Sequence, residues 1–527
     1  MVSMLSTYLS PRTSPSCRPV TAGLVVRAAD RQGWRVSECC AILEHMFDSS
    51  DGSAAALVER MCAAWRAENR AAGQRLIAIG QLDVLRLRQR GERETWVTDT
   101  WDAVTAEVAA ALRISHGLAA SHLHYARALR MRLPRVGAAL LAGDISFSMF
   151  QTIVYRTELI TDEDILAGVD AELAVKVRRW PSLTRARLAA YVDRVVERAD
   201  RDAVRRRRER RADRELSIWD TGDGLAEVFG RLVSTDAQVV DARLAALAAT
   251  VCAEDPRTAN QRRADALGAL AAGADRLGCR CGRPDCPATA AAPWPVVIHV
   301  VAERASLDGT AANPGALLGG NALIPAELIA ELAATARLQP LTHPGEAPAE
   351  PGYTPSKALA DFVRCRDLSC RFPGCDRPAL HCDLDHTIPY GDGGATHACN
   401  LKCLCRLHHL LKTFWGWGDQ QLPDGTVIWT SPSGHTYVTT PGSALLFPSL
   451  CVPTGHLPAP SPAPTDRCTD RATAMPTRRR SRADNRAAYI AAQRRLNRQA
   501  LAARAAGKPA PQPPPPGPAP PEEPPPF

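Results

Sequence analysis

The chain has 527 residues, 45% of them hydrophobic and only 5% aromatic, with a formal net charge of +8. That length exceeds what one hydrophobic core supports and, at roughly 150 residues per domain, implies about three units plus linkers. No run approaches the roughly 18 apolar residues that cross a bilayer, and the short apolar run VTAGLVV at Val20 lacks the basic start of an export signal. A cytoplasmic protein with no membrane partner is expected.

Residues 1–52 show no clean periodicity and read as a poorly ordered extension, with Met46 offering a second start. From Ser53 the pattern turns helical: Leu57, Val58, Met61, Cys62 and Trp65 recur along one face. Alanine-rich segments continue to residue 275, punctuated by RLPRVG, AGDIS, RRWPSL and STDAQ, and predict an all-α domain over 53–275. Within it, residues 106–129 read as helix, three-residue turn, helix. That is the outline of a helix-turn-helix DNA reader, but the turn lacks the usual glycine and any helical bundle contains such pairs. RRRRERRADRE at 205–215 offers phosphate contacts, or simply a solvated helix face.

Residues 276–352 hold CRCGRPDCP, where Cys279, Cys281 and Cys286 suggest a zinc knuckle short of one ligand. A cysteine-rich turn without metal fits equally well; His299, on the strand-like VVIHVVAE, is one candidate for the fourth ligand. PGEAPAEPGYTPS at 344–356 is a linker by composition.

The densest chemistry lies in 353–450. Seven of the seventeen cysteines fall within residues 365–405, and clustered thiols in a reducing compartment bind metal more often than they pair. In CLCRLHHLLKTF the neighbours His408 and His409 diverge by about 100° if the segment is helical, so they cannot easily share an ion. Two metals resolve this. Cys370 and Cys375 with Cys405 and His408 make a closed, structural Cys3His zinc site. Asp385 and His409 make an oxygen-plus-imidazole pair suited to Mg2+ or Mn2+, with positions left open for water and phosphate. His386, pointing the other way from Asp385 on a strand, is free to act as general base. Asn400 is placed to hydrogen-bond across the intervening loop and fix the backbone that aims His386. GTVIWTSPSGHTYVTT at 425–440 predicts a β-hairpin turning at 432–434. Residues 451–527 read as a disordered proline-rich tail, interrupted by a helix-prone stretch at 485–506. Twelve Arg or Lys against three Asp in 466–508 give that segment a net +9.

The order Asp385-His386, Asn400, His409 inside paired cysteines resembles the HNH endonucleases, the ββα-metal nuclease fold. The resemblance implies that His386 activates water, that Asp385 and His409 hold the single catalytic metal, that Asn400 orders the loop, and that DNA phosphodiester bonds are hydrolysed. Arg406 and Lys412 would be phosphate contacts. More narrowly, CRFPGC, DHTIPY, NLKCLCRLHHLLKTFWGW, LPDGTVIWTSPSG and PGSALLFPSLC resemble the actinobacterial, notably mycobacterial, thirteen-E-twelve repeat family, in which a helical N-terminal domain of unknown function precedes an HNH domain. The expected fold is multidomain and mainly α: a large all-α N-terminal domain, a small zinc-stapled ββα-metal domain with a following β-hairpin, and a disordered proline-rich tail. This chain departs from HNH modules built on C-x2-C pairs, and Cys365, Cys382, Cys399 and Cys403 are surplus thiols. His381, His397 and His435 carry no comparable pattern and read as structural or surface residues. DNA is the expected partner, and whether one strand or both are cut would turn on a homodimer. The alternative is a non-catalytic, zinc-containing nucleic-acid-binding protein associated with a repeated or mobile element; a scaffold working through its proline-rich tail would explain 453–527 alone.

Overall fold

A computed structural model describes residues 53–180, 183–205, 215–221, 224–287, 298–320, 322–333, 336–455 and 474–506. The expectations for residues 1–52, for most of RRRRERRADRE and for the proline-rich stretches of the tail lie outside these residues. The chain divides into two units, Met1–Ala64 and Trp65–Phe527.

Helix α1 (Ala54–Arg90) crosses that division, and it buries Asn69, Ala72, Gly73, Leu76, Ile79, Gly80 and Asp83. These recur at three- and four-residue steps, and the small residues among them allow close packing. The stripe singled out in the sequence is helical but exposed, at 36% for Leu57, 51% for Val58, 62% for Met61 and 45% for Trp65. Periodicity identifies the helix; it does not say which turns are covered.

Six more helices follow: α2 (Thr100–Leu112), α3 (His116–Arg127), α4 (Pro134–Ala142), α5 (Phe147–Thr157), α6 (Glu163–Val177) and α7 (Arg185–Ala199). Their starts are capped as their sequences dictate. Asp99 and Asp102 form a reciprocal capping box on α2, and Ser115, Ser146, Asp162 and Thr184 each accept a backbone N–H. Leu76, Val104, Leu123, Leu140, Phe150, Ile153, Leu173 and Val192 belong to one apolar core. The helix-turn-helix candidate is the α2–α3 pair. Helix α3 buries Ala119, His122, Leu123 and Ala126, and its His124 meets Arg486 of the C-terminal segment at 3.5 Å. It is a bundle helix with one face in the core, while Gly117 and Leu118 of its first turn stay exposed.

The all-α reading to residue 275 needs correction. An antiparallel hairpin, β1 (Glu215–Asp220) and β2 (Ala226–Arg231), interrupts it. Leu216, Ile218 and Val228 follow a period of two, which a search for 3.6-residue periodicity passes over. Helices α8 (Ser234–Ala248) and α9 (Ala259–Ala271) come next. A small antiparallel sheet in order β3-β4-β5 combines β3 (Val300–Val301), β4 (Gly315–Leu317) and β5 (Leu323–Ile324). Short α10 (Arg304–Leu307) and α11 (Ala326–Ala333) flank it.

After α12 (Lys357–Asp367) come β6 (Cys382–His386), β7 (Leu401–Cys405) and α13 (Arg406–Phe414), two antiparallel strands followed by a helix. A sheet ordered β10-β9-β8 covers them, built from β8 (Gly418–Gln421), β9 (Val427–Thr430) and β10 (Thr436–Thr439). Its β9–β10 turn closes at Gly434, whose N–H donates to Ser431 O at 2.9 Å and whose φ is +82°. The second core joins Phe362, Phe372, Leu404, Leu411, Trp415, Trp417 and Trp429 to Ala103, Ala106 and Ala110 of α2. Asp367 is fully buried between Arg366 (2.8 Å) and Arg371 (3.1 Å), and it accepts the Cys403 N–H at 2.8 Å. This ion cluster ties α12 to β7.

The tail read as disordered contains an ordered part. Helix α14 (Arg482–Ala505) lies against the bundle. Arg482 pairs with Asp99 and Asp102 at 3.2 and 2.9 Å, Arg486 with Glu158 at 2.9 Å, and Arg494 with Asp200 at 2.6 Å. Composition offered no core, but the ordering comes from carboxylates nearly 300 residues or more away. No helix among the described residues is long and apolar enough to cross a membrane.

Candidate functional site

The β6–β7 register sets Cys382 opposite Cys405, Asp385 opposite Lys402 and His386 opposite Leu401. Because side chains alternate along a strand, Asp383 and Asp385 share one face and His386 takes the other. Helix α13 starts directly after Cys405, so its residues meet both the strand end and the Asp383–Asp385 face.

On one side, Cys370, Cys375, Cys405 and His408 bring four ligand atoms within 4.8 Å of one another. His408 turns Nδ1 toward the sulfurs, 3.2 Å from Cys405 and 3.5 Å from Cys370. Its ring is stacked on Phe372 at 4.0 Å and 5°. The Cys405 N–H points at Cys370 Sγ at 3.3 Å, a donor aimed at a thiolate. Burial pushes the Cys370 thiol well up, while hydrogen bonds from Cys370 and Cys375 hold Cys405 down. Three sulfurs and one imidazole around one point fit tetrahedral zinc in a closed site. Gly374, in the C-x4-C turn, packs under the α2–α3 turn: a Cβ there would stand 3.0 Å from Ile114 O, at a φ of +74°.

On the other side, His409 Nε2 is 3.4 Å from Asp385 Oδ1, while Nδ1 donates to Asp383 Oδ2 at 2.8 Å. Asp383 was missed in the sequence; its carboxylate orients the His409 ring. The two ligand-type atoms, Nε2 and Oδ1, thus face each other closely enough to meet one cation. The second oxygen of Asp385 is already engaged, with Lys402 and Lys412 both at 2.6 Å from Oδ2. Lys402 is fully buried and also reaches Asp419 at 2.5 Å. Although burial opposes it, these lysines hold the Asp385 carboxyl below its usual range. Lys412, expected at phosphate, is turned inward and also donates to His386 O at 2.6 Å. Arg406 remains at the surface, 3.3 Å from Asp383.

His386 is oriented by its other contacts. Its Nε2 lies 2.9 Å from Thr396 Oγ1, and the Thr396 hydroxyl donates to Tyr353 O at 3.3 Å. A hydroxyl has one proton, so Thr396 accepts from His386 Nε2–H and Nδ1 keeps the lone pair. Tyr353 stacks on the imidazole at 5.3 Å and 19°. Burial lowers the pKa of His386, keeping the ring neutral. Asn400 does what the sequence suggested for the loop: Oδ1 accepts from Ile388 N at 2.8 Å, and Nδ2 donates to Ile388 O at 3.1 Å and Ala395 O at 2.8 Å. Gly394 lies so close that an added Cβ would stand 1.8 Å from Ile388 O. His397 is structural, bonded to Ala347 O at 3.0 Å and facing Cys399 Sγ at 3.0 Å.

Lys402 and Asp419 carried no motif. They join the site because β7 and β8 meet the Asp385 face, which one-dimensional spacing does not show.

Residues 63–367 match the family described as "Domain of unknown function (DUF222)". A relative named "Uncharacterized protein Rv3776", from Mycobacterium tuberculosis (strain ATCC 25618 / H37Rv), is 47% identical over 444 residues, covering 79% of this chain and 84% of the relative. "Uncharacterized protein Rv2100", from the same strain, is 43% identical over 498 residues, covering 84% and 88%. No solved structure matches the chain.

Proposed function

This chain belongs to the DUF222 family, and we propose that the β6–β7–α13 module beyond the matched region makes it a metal-dependent DNA endonuclease of the HNH type. The observation that carries this reading is the His386 Nε2–Thr396–Tyr353 O chain: with the Thr396 proton on Tyr353 O, Nε2–H is given to Thr396 and Nδ1 is left as a base. Asp385 Oδ1 and His409 Nε2 would hold the divalent ion, which, when bound, would polarise the phosphate and stabilise the leaving 3′ oxygen. His386 Nδ1 takes a proton from water as the water oxygen bonds to phosphorus and the P–O3′ bond breaks. Asn400 and Gly394 keep the 387–400 loop closed, so that His386 is held still. Arg406 is the surface cation beside the site and the residue assigned to a DNA phosphate. The Cys3His set would hold zinc and fix the start of α13, with no part in bond breaking.

The test is relaxation of supercoiled plasmid with Mg2+, Mn2+ or EDTA, His386→Ala run beside the wild type. Metal-dependent nicking that the variant loses at unchanged zinc content supports the reading. Bound but intact DNA with a folded, zinc-loaded wild type sinks it.

One observation favours a second reading, a non-catalytic nucleic-acid-binding protein. Two ammonium groups already balance Asp385 and Asp419, which weakens the pull on a divalent cation.

A further inference from the structure

A second group of sulfurs stands apart from this module. Cys252, just beyond the end of α8, joins Cys279, Cys281 and Cys286, and all four Sγ atoms lie within 4.8 Å of one another. The sequence showed only the last three, 27 residues and more downstream, and His299 is not in the group. Cys252 and Cys279 are 3.4 Å apart, too far for a disulfide near 2.05 Å and close to the roughly 3.8 Å edge of a zinc tetrathiolate. Cys279 and Cys286 are buried, Cys252 and Cys281 partly so.

The surroundings are built to hold these sulfurs. The Arg257 guanidinium donates to Gly278 O at 2.6 Å while gripping Asp255 at 2.8 Å and Asp265 at 2.7 Å. Asp255 accepts the Arg280 N–H at 2.9 Å, and Thr250 accepts the Leu277 N–H at 2.8 Å. The two ligand-bearing segments, 250–257 and 277–280, are thereby fixed side by side. Little else closes the α8–α9 hairpin: α8 buries only Leu247 and Ala248, and α9 only Ala266. The apolar cluster at this end consists of the four cysteines and Val251. A hairpin so poor in core needs a cross-link.

We propose that Cys252, Cys279, Cys281 and Cys286 form a second, closed zinc site of four thiolates that staples the α8–α9 hairpin. All four positions are filled by protein, so the site is structural, and it stands whether or not the chain cleaves DNA.

The test begins with the full-length chain as purified under reducing conditions. Elemental analysis should find two zinc equivalents per chain. Brief alkylation followed by peptide mapping should label exposed Cys62 while sparing Cys252, Cys279, Cys281 and Cys286, and chelator should release all four together. Cys252→Ser should drop zinc to one equivalent, with faster hydrogen exchange confined to residues 234–287 and the 370–408 peptides unchanged. One equivalent in the wild type, with Cys279, Cys281 and Cys286 labelled as fast as Cys62, would overturn the proposal even if the variant fails to fold. So would a folded Cys252→Ser variant that keeps both ions.

Discussion

The Asn400 side chain offers a sharp test of how the loop before β7 is held. It is 3% exposed, and its three hydrogen bonds reach Ile388 N, Ile388 O and Ala395 O at 2.8, 3.1 and 2.8 Å. Two of the partners are carbonyls, so the amide orientation is unambiguous. At about 1 kcal/mol net per bond, Asn400→Ala should weaken loop closure by about 3 kcal/mol, or roughly 150-fold in the opening equilibrium. Asn400→Asp is nearly isosteric yet should be no better. The new carboxylate keeps the bond from Ile388 N but sets a second oxygen against two carbonyl oxygens. Protonated, it recovers one donor and satisfies only one of them. The assay is hydrogen exchange by mass spectrometry over peptides covering 387–400, which reads local opening where global unfolding of a large chain is not two-state. If Asn400→Asp protects the loop as well as wild type at pH 8, the two donor bonds do not hold it and the argument fails.

Asp367→Ala strands two buried guanidinium groups and should destabilise by about 3–5 kcal/mol, read as a lower urea midpoint for β6–β7 protection; an unchanged midpoint would mean that water replaces the carboxylate. Burial lowers the pKa values of His122 and His124, so unfolding takes up protons: their contribution is intact above about pH 6.5 and is lost as pH falls from there through the folded values. Urea titrations of the bundle at pH 7.5 and 5.5 should show that loss, and His122→Phe, which keeps the stack on Phe147, should shrink it. Asp383→Asn removes the charge that orients His409 and should weaken Mn2+ binding by roughly 10–100-fold with zinc content unchanged; equal affinity would show that Asp383 is only a surface partner. Cys375→Ser should lose one of the two zinc equivalents together with Mn2+ binding, whereas His409→Ala should lose Mn2+ alone, and zinc loss in both would contradict two distinct sites.

The residues that one strand or one helical turn brings together were legible in advance. Cys370 and Cys375 are five positions apart, Cys405 and His408 three, and Asp385 and His386 adjacent, so ligand chemistry and local periodicity sufficed to sort them. What could not be read were the partners delivered by chain reversal. Lys402 reaches Asp385 through strand register, Asp419 arrives after α13, and Cys252 completes a set whose other members lie beyond an entire helix. The helix-prone stretch at 485–506 is a helix, but its docking was not legible, for a related reason. Its arginines look solvated when composition is counted, but Arg482, Arg486 and Arg494 each meet a carboxylate on the bundle. That neutralisation also removes part of the tail's charge from any use against a polyanion.

Adjacent histidines that cannot share an ion make sense once α13 is seen as a hinge between two chemistries. His408 faces the sulfurs through Nδ1, and this fixes the rotation of the first helical turn about its axis. His409, on the next face, then meets Asp383 and Asp385, and Lys412, three residues further on, meets Asp385. The Cys3His cluster therefore positions the second pair without touching it. Trp417, just before β8, and Trp429 of β9 pack into the same core as Ala103, Ala106 and Ala110 of α2. The ligand-bearing segment thereby shares its core with those three alanines of the bundle. The helical domain thus supports the site mechanically, whatever else it binds.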